Sequence, residues 1–341
     1  VSSLKSNRKI WLGIETSCDE TACAIVTSDL VVKSNPLYSQ YNEHREFGGV
    51  VPEIAARAHL EKIHPMIAAA LTEANIGLAD LDAIAFTRGP GLMGPLLVGA
   101  SFARGLAKDL GIPAYGVNHL EGHIAAAYLS NPGLKAPFVA LTVSGGHTEL
   151  IFVEPGFQYT LLGRTRDDAA GEAFDKCGKL LGLGYPAGPL VSREASNGNR
   201  KFFAFPQGLR GEDQCEFSFS GLKTAVLRYT EENSPEFIRT NIRDICASLE
   251  EAIVDILVKK TGIALRRTGA RTLVLCGGVS ANSHLRSRLT DACKRQQVQF
   301  CPPALAYCTD NGAMIAAAAI LRDRDDLLQD QWEVKPWLPL A

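Results

Sequence analysis

Along the first forty residues the apolar positions fall in two short runs, 10–14 and 22–27, on either side of a small and polar stretch at 16–20. Two apolar runs of strand length around such a bend predict a β-hairpin. The same pattern returns at 138–153, FVALTVSGGHTELIFV, so the two hairpins read as the openings of two similar halves. Between them the pattern predicts a helix over 52–75 with a break or restart at Pro65. A short buried strand at 83–87 follows, then the glycine-rich RGPGLMG (88–94) leading into a helix to about 110, and a strand at 114–117. Beyond the second hairpin the expected elements are a helix from about 167 to 181, an irregular passage beginning at LGLGYPAGP, and helices at about 221–229 and 235–267. A strand at 272–276, a helix from about 281, a strand at 298–301 and a final helix from Asn311 complete the chain. Strands alternating with helices predict an α/β architecture.

The polar, proline-bearing link at 130–137 is the expected lobe boundary. It divides the chain into a tail (1–9), an N-terminal lobe (10–134) and a C-terminal lobe (135–341) with an irregular insertion at about 183–220. With 341 residues, 46% hydrophobic and 21% charged, the chain can bury the cores of two such lobes. Its longest apolar stretch, AMIAAAAIL, is far shorter than the roughly 18 to 20 residues of a membrane span, so no membrane contact is expected. The start, VSSLKSNRKI, lacks the apolar core of a secretory signal and reads as a frayed tail. Nine cysteines without a CxxC pair argue against a disulfide framework or a zinc ribbon and fit a reducing cytoplasm or mitochondrial matrix. A net charge of −2 means that any nucleic-acid contact needs a local basic surface. KKTGIALRRTGAR (259–271) and RSRLTDACKR (286–295) are the candidates, although each taken alone reads better as a solvated helix face.

The most specific chemistry lies in NHLEGH, 118–123. On a helix His119 and His123 stand on adjacent turns of one face, where two imidazoles can share a divalent metal. Glu121 follows His119 by two positions and points about 200° away, unlike the glutamate of HExxH peptidases. An isolated HxxxH, however, is more often a pair of half-buried polar residues at a helix start.

Three loops carry small and glycine residues where backbone N–H groups can approach phosphate: 16–20, 144–146 and CGGVSAN at 276–282. None is a GxGxxG or GxxxxGK[ST] motif. Their order, hairpin, hairpin, strand-to-helix, is the plan of the actin/Hsp70/sugar-kinase-like (ASKHA) superfold, two duplicated RNase-H-like halves.

IETSCDET, GGVVPEIAAR, GPGLMGPLLVG, NHLEGH, VSGGHTEL, DDAAGEAFDK, FSFSGLKT, GGVSAN and CTDNGAMIA together resemble the TsaD/Qri family of tRNA N6-adenosine threonylcarbamoyltransferases, once classed as glycoproteases, from about residue 10 to 319. The resemblance implies transfer of the threonylcarbamoyl group of threonylcarbamoyl-AMP to the N6 amine of the adenosine just 3′ of the anticodon, in tRNAs that read codons beginning with A. It implies one divalent metal, Fe2+ or Zn2+, on His119, His123 and Asp310. Thr142, Val143, Ser144, Gly145 and Gly146 would meet phosphate and acyl groups, and Asp175, Gly188 and Asn282 the nucleoside. Asp19 and Glu20 resemble the acidic pair of the first loop, assigned to organising phosphate, water or a cation. Without the resemblance Asp310 reads as a helix N-cap and Asp175 as a solvated carboxylate.

Archaeal and eukaryotic cytosolic members carry tyrosine where this chain has Thr142 and asparagine where it has His147, so the chain resembles the bacterial and mitochondrial branch. The bacterial setting implies a TsaB-type paralogue, a TsaE-type phosphate-loop ATPase and the cytoplasm; the mitochondrial one implies a homodimer in the matrix. The short N-terminal extension leans bacterial. The competing readings are a metallopeptidase, opposed by the direction of Glu121, and a non-catalytic scaffold, which would have lost the metal residues. A small-molecule kinase on the same superfold is opposed by the histidine pair.

Overall fold

The structure is a computed structural model that describes residues 8–209, 214–325, 327–328 and 332–340. The chain forms two compact units, one of Val1–Gly133 with Thr309–Leu340 and one of Leu134–Cys308. The first boundary falls inside the expected link. The second corrects the expected C-terminal lobe of 135–341, because Asp310 and the final helix belong to the first unit.

In the first unit, strands β1 (Ile10–Glu15), β2 (Glu20–Thr27), β3 (Val32–Ser34) and β4 (Leu37–Ser39) precede helices α1 (Tyr41–His44) and α2 (Pro52–Ala74). Then come β5 (Ala83–Gly89), α3 (Met93–Leu110), β6 (Ala114–Asn118) and α4 (His119–Ser130). The sheet order is β3-β2-β1-β5-β6, with β4 also on β2. Strands β1 and β2 pair antiparallel, Trp11 opposite Val26, while β5 lies parallel to β1 and β6 parallel to β5. The predicted break in α2 does not occur. Pro65 lies inside an unbroken helix, on its exposed side along with Glu61, whose carbonyl is the one Pro65 cannot bond. Ala55, Ile63, Ile67 and Ala70 supply the buried side that holds the helix on the sheet.

The second unit repeats the order of strands. It consists of β7 (Phe138–Val143), β8 (Thr148–Glu154), β9 (Gln158–Arg164), α5 (Ala170–Leu180), α6 (Ala187–Ala195), α7 (Ser220–Glu232), α8 (Pro235–Thr240), α9 (Ile242–Thr268), β10 (Thr272–Cys276), α10 (Ser283–Gln296) and β11 (Gln299–Cys301). Its sheet runs β11-β10-β7-β8-β9, with β7 antiparallel to β8 and parallel to β10. All six residues of β7 are buried, as expected of a central strand covered on both faces. The single helix expected over 235–267 is two, because Asn241 leaves helical geometry (ψ 16°) and its side-chain amide returns to the Phe237 carbonyl. Asp167 is not helical either. Its carboxylate accepts the Phe219 and Ser220 N–H groups and the Ser218 and Ser220 hydroxyls, which anchors the start of α7.

The last helix, α11 (Gly312–Arg324), returns to the first unit and buries every residue from Gly312 to Leu321. It lies against α4 and β1, and glycine makes this possible. A Cβ on Gly13 would lie 2.1 Å from the Gly312 carbonyl oxygen, and one on Gly312 would lie 2.5 Å from the Ala24 nitrogen. Because both obstacles are backbone atoms, Gly13→Ala is expected to cost about 1 to 3 kcal/mol in chemical denaturation. Gly105→Ala, exposed in α3 with nothing within 4 Å of the added methyl, is expected to be neutral or stabilising by up to about 1 kcal/mol.

Candidate functional site

Two groups of chemistry-bearing residues form, one in each unit. In the first, Asn118 caps α4 by accepting the Leu120 and Glu121 N–H groups at 2.9 and 3.4 Å, which places His119 and His123 on the first turns of a helix buried all round. The imidazoles meet edge to face with centroids 4.6 Å apart. Asp310, just ahead of α11, puts Oδ1 3.1 Å from His123 Nε2 and 3.5 Å from His119 Nε2. Asp310 is not the N-cap of α11; Asn311 is, accepting the Met314 N–H at 2.9 Å, so the neighbouring carboxylate is left to face the histidines.

The donor set fits a divalent metal. His123 is buried, and neither of its ring nitrogens has a hydrogen-bond partner among the described residues. A neutral imidazole so placed keeps a lone pair for a cation. The ligand atoms of His119, His123 and Asp310 all lie within 4.8 Å of one another. His119 Nδ1 donates to Glu15 Oε2 at 3.1 Å, beside Ser17 Oγ at 3.2 Å, and that leaves Nε2 on the Asp310 side. A carboxylate behind a ligating histidine fixes its tautomer and raises its basicity. Burial alone would depress the His119 pKa, but Asp310 and Glu15 outweigh it and push it up to about 9. The pocket thus favours a positive charge, proton or metal.

Glu15 is the residue that sequence reasoning missed. It is wholly buried, and besides His119 it accepts from the Ser17 N–H and the Thr87 hydroxyl. A glutamate at the end of an otherwise apolar strand was the available signal. The loop after it is pinned from both sides. His59 Nε2 donates to the Cys18 carbonyl at 2.9 Å while its Nδ1 accepts from Thr21 Oγ1, and burial holds this imidazole below its ordinary pKa. On the other side Gly91, at φ +157°, sits so close that a Cβ would meet the Ser17 oxygen at 2.6 Å, and Leu92 N–H donates to that oxygen. RGPGLMG therefore seats α3 against the first loop. Asp19 lies in this loop and Glu20 opens β2, where burial, then Asp310, then Asp19 hold the Glu20 carboxyl well above the usual range. Glu121 points away from the histidines, as its spacing predicts, into an ion pair with Arg322 of α11 at 2.5 Å.

In the second unit Thr142 and Val143 end β7, 144–146 form the bend after it, Asn282 lies beyond the end of β10, and Asp175 and Gly188 stand on α5 and α6. Thr142 and Val143 are fully buried, with Thr142 Oγ1 3.3 Å from Cys276 Sγ, so their side chains serve the core. Ser144 turns the bend, accepting the Gly171 N–H of α5 and donating its own N–H to His147; Gly145 and Gly146 are exposed. Asp175 of α5 accepts the Gly188 N–H of α6 at 2.8 Å, and burial raises its pKa. Asn282 caps α10, and its amide donates to Ser192 Oγ (2.8 Å) and to the buried Glu250 (2.7 Å), itself paired with Arg200. All nine cysteines are free thiols.

Solved structures with this fold include component A of (R)-2-hydroxyglutaryl-CoA dehydratase from Acidaminococcus fermentans (TM-score 0.56, 16% identity, 93% of this chain and 99% of that one). HypF from T. kodakarensis is another (TM-score 0.61, 15% identity, 96% and 49%). The chain accordingly has the α/β fold of the actin/Hsp70/sugar-kinase-like class. Curated relatives named tRNA N6-adenosine threonylcarbamoyltransferase include those of Desulfitobacterium hafniense, 50% identical with 92% of each chain covered, and Acidovorax sp., 48% identical with 97% of each covered. The profile of the TsaD family, tRNA N6-adenosine threonylcarbamoyltransferase, matches residues 31–317, and the chain belongs to that family.

Proposed function

We propose that this protein transfers the threonylcarbamoyl group of threonylcarbamoyl-AMP to the N6 amine of the adenosine 3′ of the anticodon in tRNAs reading codons that begin with A. The observation that carries this is identity of about half the residues, over more than nine-tenths of each chain, with relatives of that name. The mixed carbamoyl-phosphate anhydride is already activated, so the protein chiefly has to hold the acyl carbon near the amine and stabilise charge on the carbonyl and the departing AMP. His119, His123 and Asp310 would hold one Fe2+ or Zn2+, which supplies Lewis acidity and a template for substrate oxygens. Glu15 sets the His119 tautomer, and Glu20, with Asp19, organises the adjoining loop. The exposed backbone at Gly145 and Gly146 receives phosphate, while Asp175, Gly188 and Asn282 border the nucleoside. The bacterial relatives support a cytoplasmic setting, and the bacterial branch implies a TsaB-type paralogue and a TsaE-type ATPase as partners. Among the described residues no helix is long and apolar enough to cross a membrane. A peptidase reading is disfavoured because Glu121 is committed to Arg322.

The direct test is mass spectrometry of tRNA nucleosides after incubation of the protein, with its partners, with tRNA and threonylcarbamoyl-AMP. Threonylcarbamoyladenosine is expected, and its absence would overturn the reading. His123→Ala is expected to lose bound metal and most transfer, whereas Glu121→Gln keeps the metal and much of the activity. A general base would instead lose roughly 10² to 10⁴ in rate with its metal intact.

Glu15→Gln is expected to weaken metal binding roughly 10- to 100-fold, read by competition with a chromogenic chelator. Unchanged affinity would leave Glu15 a mere core polar group. Asp175→Asn keeps an oxygen for the Gly188 N–H and removes the charge. Loss of a charge-assisted contact of roughly 1.5 to 3 kcal/mol weakens AMP binding about tenfold or more in calorimetry. An Asn variant with full affinity would reduce Asp175 to the cap of α6.

A further inference from the structure

The two basic segments have no part in either group of site residues, yet the fold of the second unit brings them to one place. Lys259, Gly262, Ile263 and Arg266 succeed one another at helical spacing along one face of α9, over two turns or roughly 10 Å of axis. Arg295 and Gln296 stand at the end of α10. These residues, with the buried Lys260, line a groove of about 710 Å³ in which, among the described residues, no lining residue is acidic. Gly262 makes the hollow. Arg266 Nη1 and Gln296 Nε2 each lie 3.5 Å from the position a Cβ would take there, so two N–H donor groups converge over bare backbone. Lys259 is partly neutralised by Asp255 at 2.6 Å and touches Gln207 at 3.3 Å. Arg266 and Arg295 are exposed, and neither is paired with a carboxylate among the described residues.

We propose that this groove between α9 and α10 docks the phosphate backbone of the RNA substrate. The proposal rests on the transferase reading and adds to it a surface that the reading does not require. Cations spread along two helix faces, with amide groups between them and no carboxylate among the described lining residues, suit successive phosphates of one strand better than a single enclosed anion. The groove lies on a chain of net charge −2, so it is a local reversal of sign rather than a share of a general positive field. Backbone contacts carry no base information, so the groove acts alike on substrate and non-substrate tRNA.

The test compares the full-length protein with Arg266→Gln/Arg295→Gln in filter binding of a substrate and a non-substrate tRNA over a series of KCl concentrations. The double variant is expected to bind both about tenfold more weakly at low salt, with a slope of log affinity on log salt flatter by roughly one to two. AMP binding by calorimetry stays unchanged, which shows that the variant is folded. Equal affinity and slope in the variant, with a wild-type protein that binds tRNA, would overturn the groove and leave the transferase reading standing. Saturable binding of inorganic phosphate that the variant loses while tRNA affinity is kept would also overturn it, in favour of a small-anion site. A wild-type protein that neither binds nor modifies tRNA would overturn both.

Discussion

The first unit depends on one close approach, that of α11 to the strand and helix beneath it. Gly13 and Gly312 let the start of α11 lie directly on β1 and β2, and Gly122 faces Ile315 and Met314 where α4 meets it. Alanine fills the rest of the contact, at 125–127 on one helix and 316–319 on the other. Small residues bring backbones together, and close backbones fix the positions of short side chains attached to them. The carboxylate oxygen of Asp310 is only three bonds from its Cα. It meets the histidines only because the chain 190 residues further on is seated at this depth.

That seating concentrates negative charge. Glu15 and Asp310 flank the imidazoles in a largely buried site and drive His119 up to about 9, while Glu20, close enough to feel Asp310, Asp19 and Glu15, has its carboxyl held well above the usual range by burial and by those charges. Buried carboxylates near one another are unfavourable unless a cation compensates them. His123, with neither nitrogen hydrogen-bonded, is a donor kept ready at the cost of an unmet polar group, the kind of local expense found at functional sites. The second unit shows the opposite economy. Asp175, Asn282 and Ser144 are already engaged in capping and turning, so the ligand proposed for them would meet an arrangement that the fold has fixed beforehand.

Much of this was legible in the sequence. Both hairpins, the strands near 83–87, 114–117 and 272–276 and the capped start of α4 follow from period and turn chemistry, because alternation and capping act within a few residues; the short strands β3 and β4 and the strand β9 were not foreseen. The helix break at Pro65 was misjudged because an exposed proline costs only a hydrogen bond that water replaces. The lobe assignment of Asp310 failed because a chain that returns to its first unit leaves no local mark. Glu15 was missed for a related reason: its partners His119 and Thr87 are 104 and 72 residues away, and a single glutamate ending a strand says nothing of them. The roles proposed for Asp310 and Asp175 rest on family resemblance, since spacing alone read one as a cap and the other as solvated.

Helix α4 shows how one apolar segment serves two purposes with three polar residues. It is buried on all sides through Ala127, so each polar group needs its own partner, and each face finds a different one. His119 and His123 turn to the residue before α11, while Glu121, on the opposite side, meets Arg322 three turns further along the same helix. The two helices are therefore held at two separated points, one by donors that a metal can share and one by an ion pair. A glutamate engaged in this way positions the helix that carries the ligands. It cannot also serve as a base beside them, which is the physical ground for reading the histidine pair as part of a group-transfer site and not as a peptidase motif.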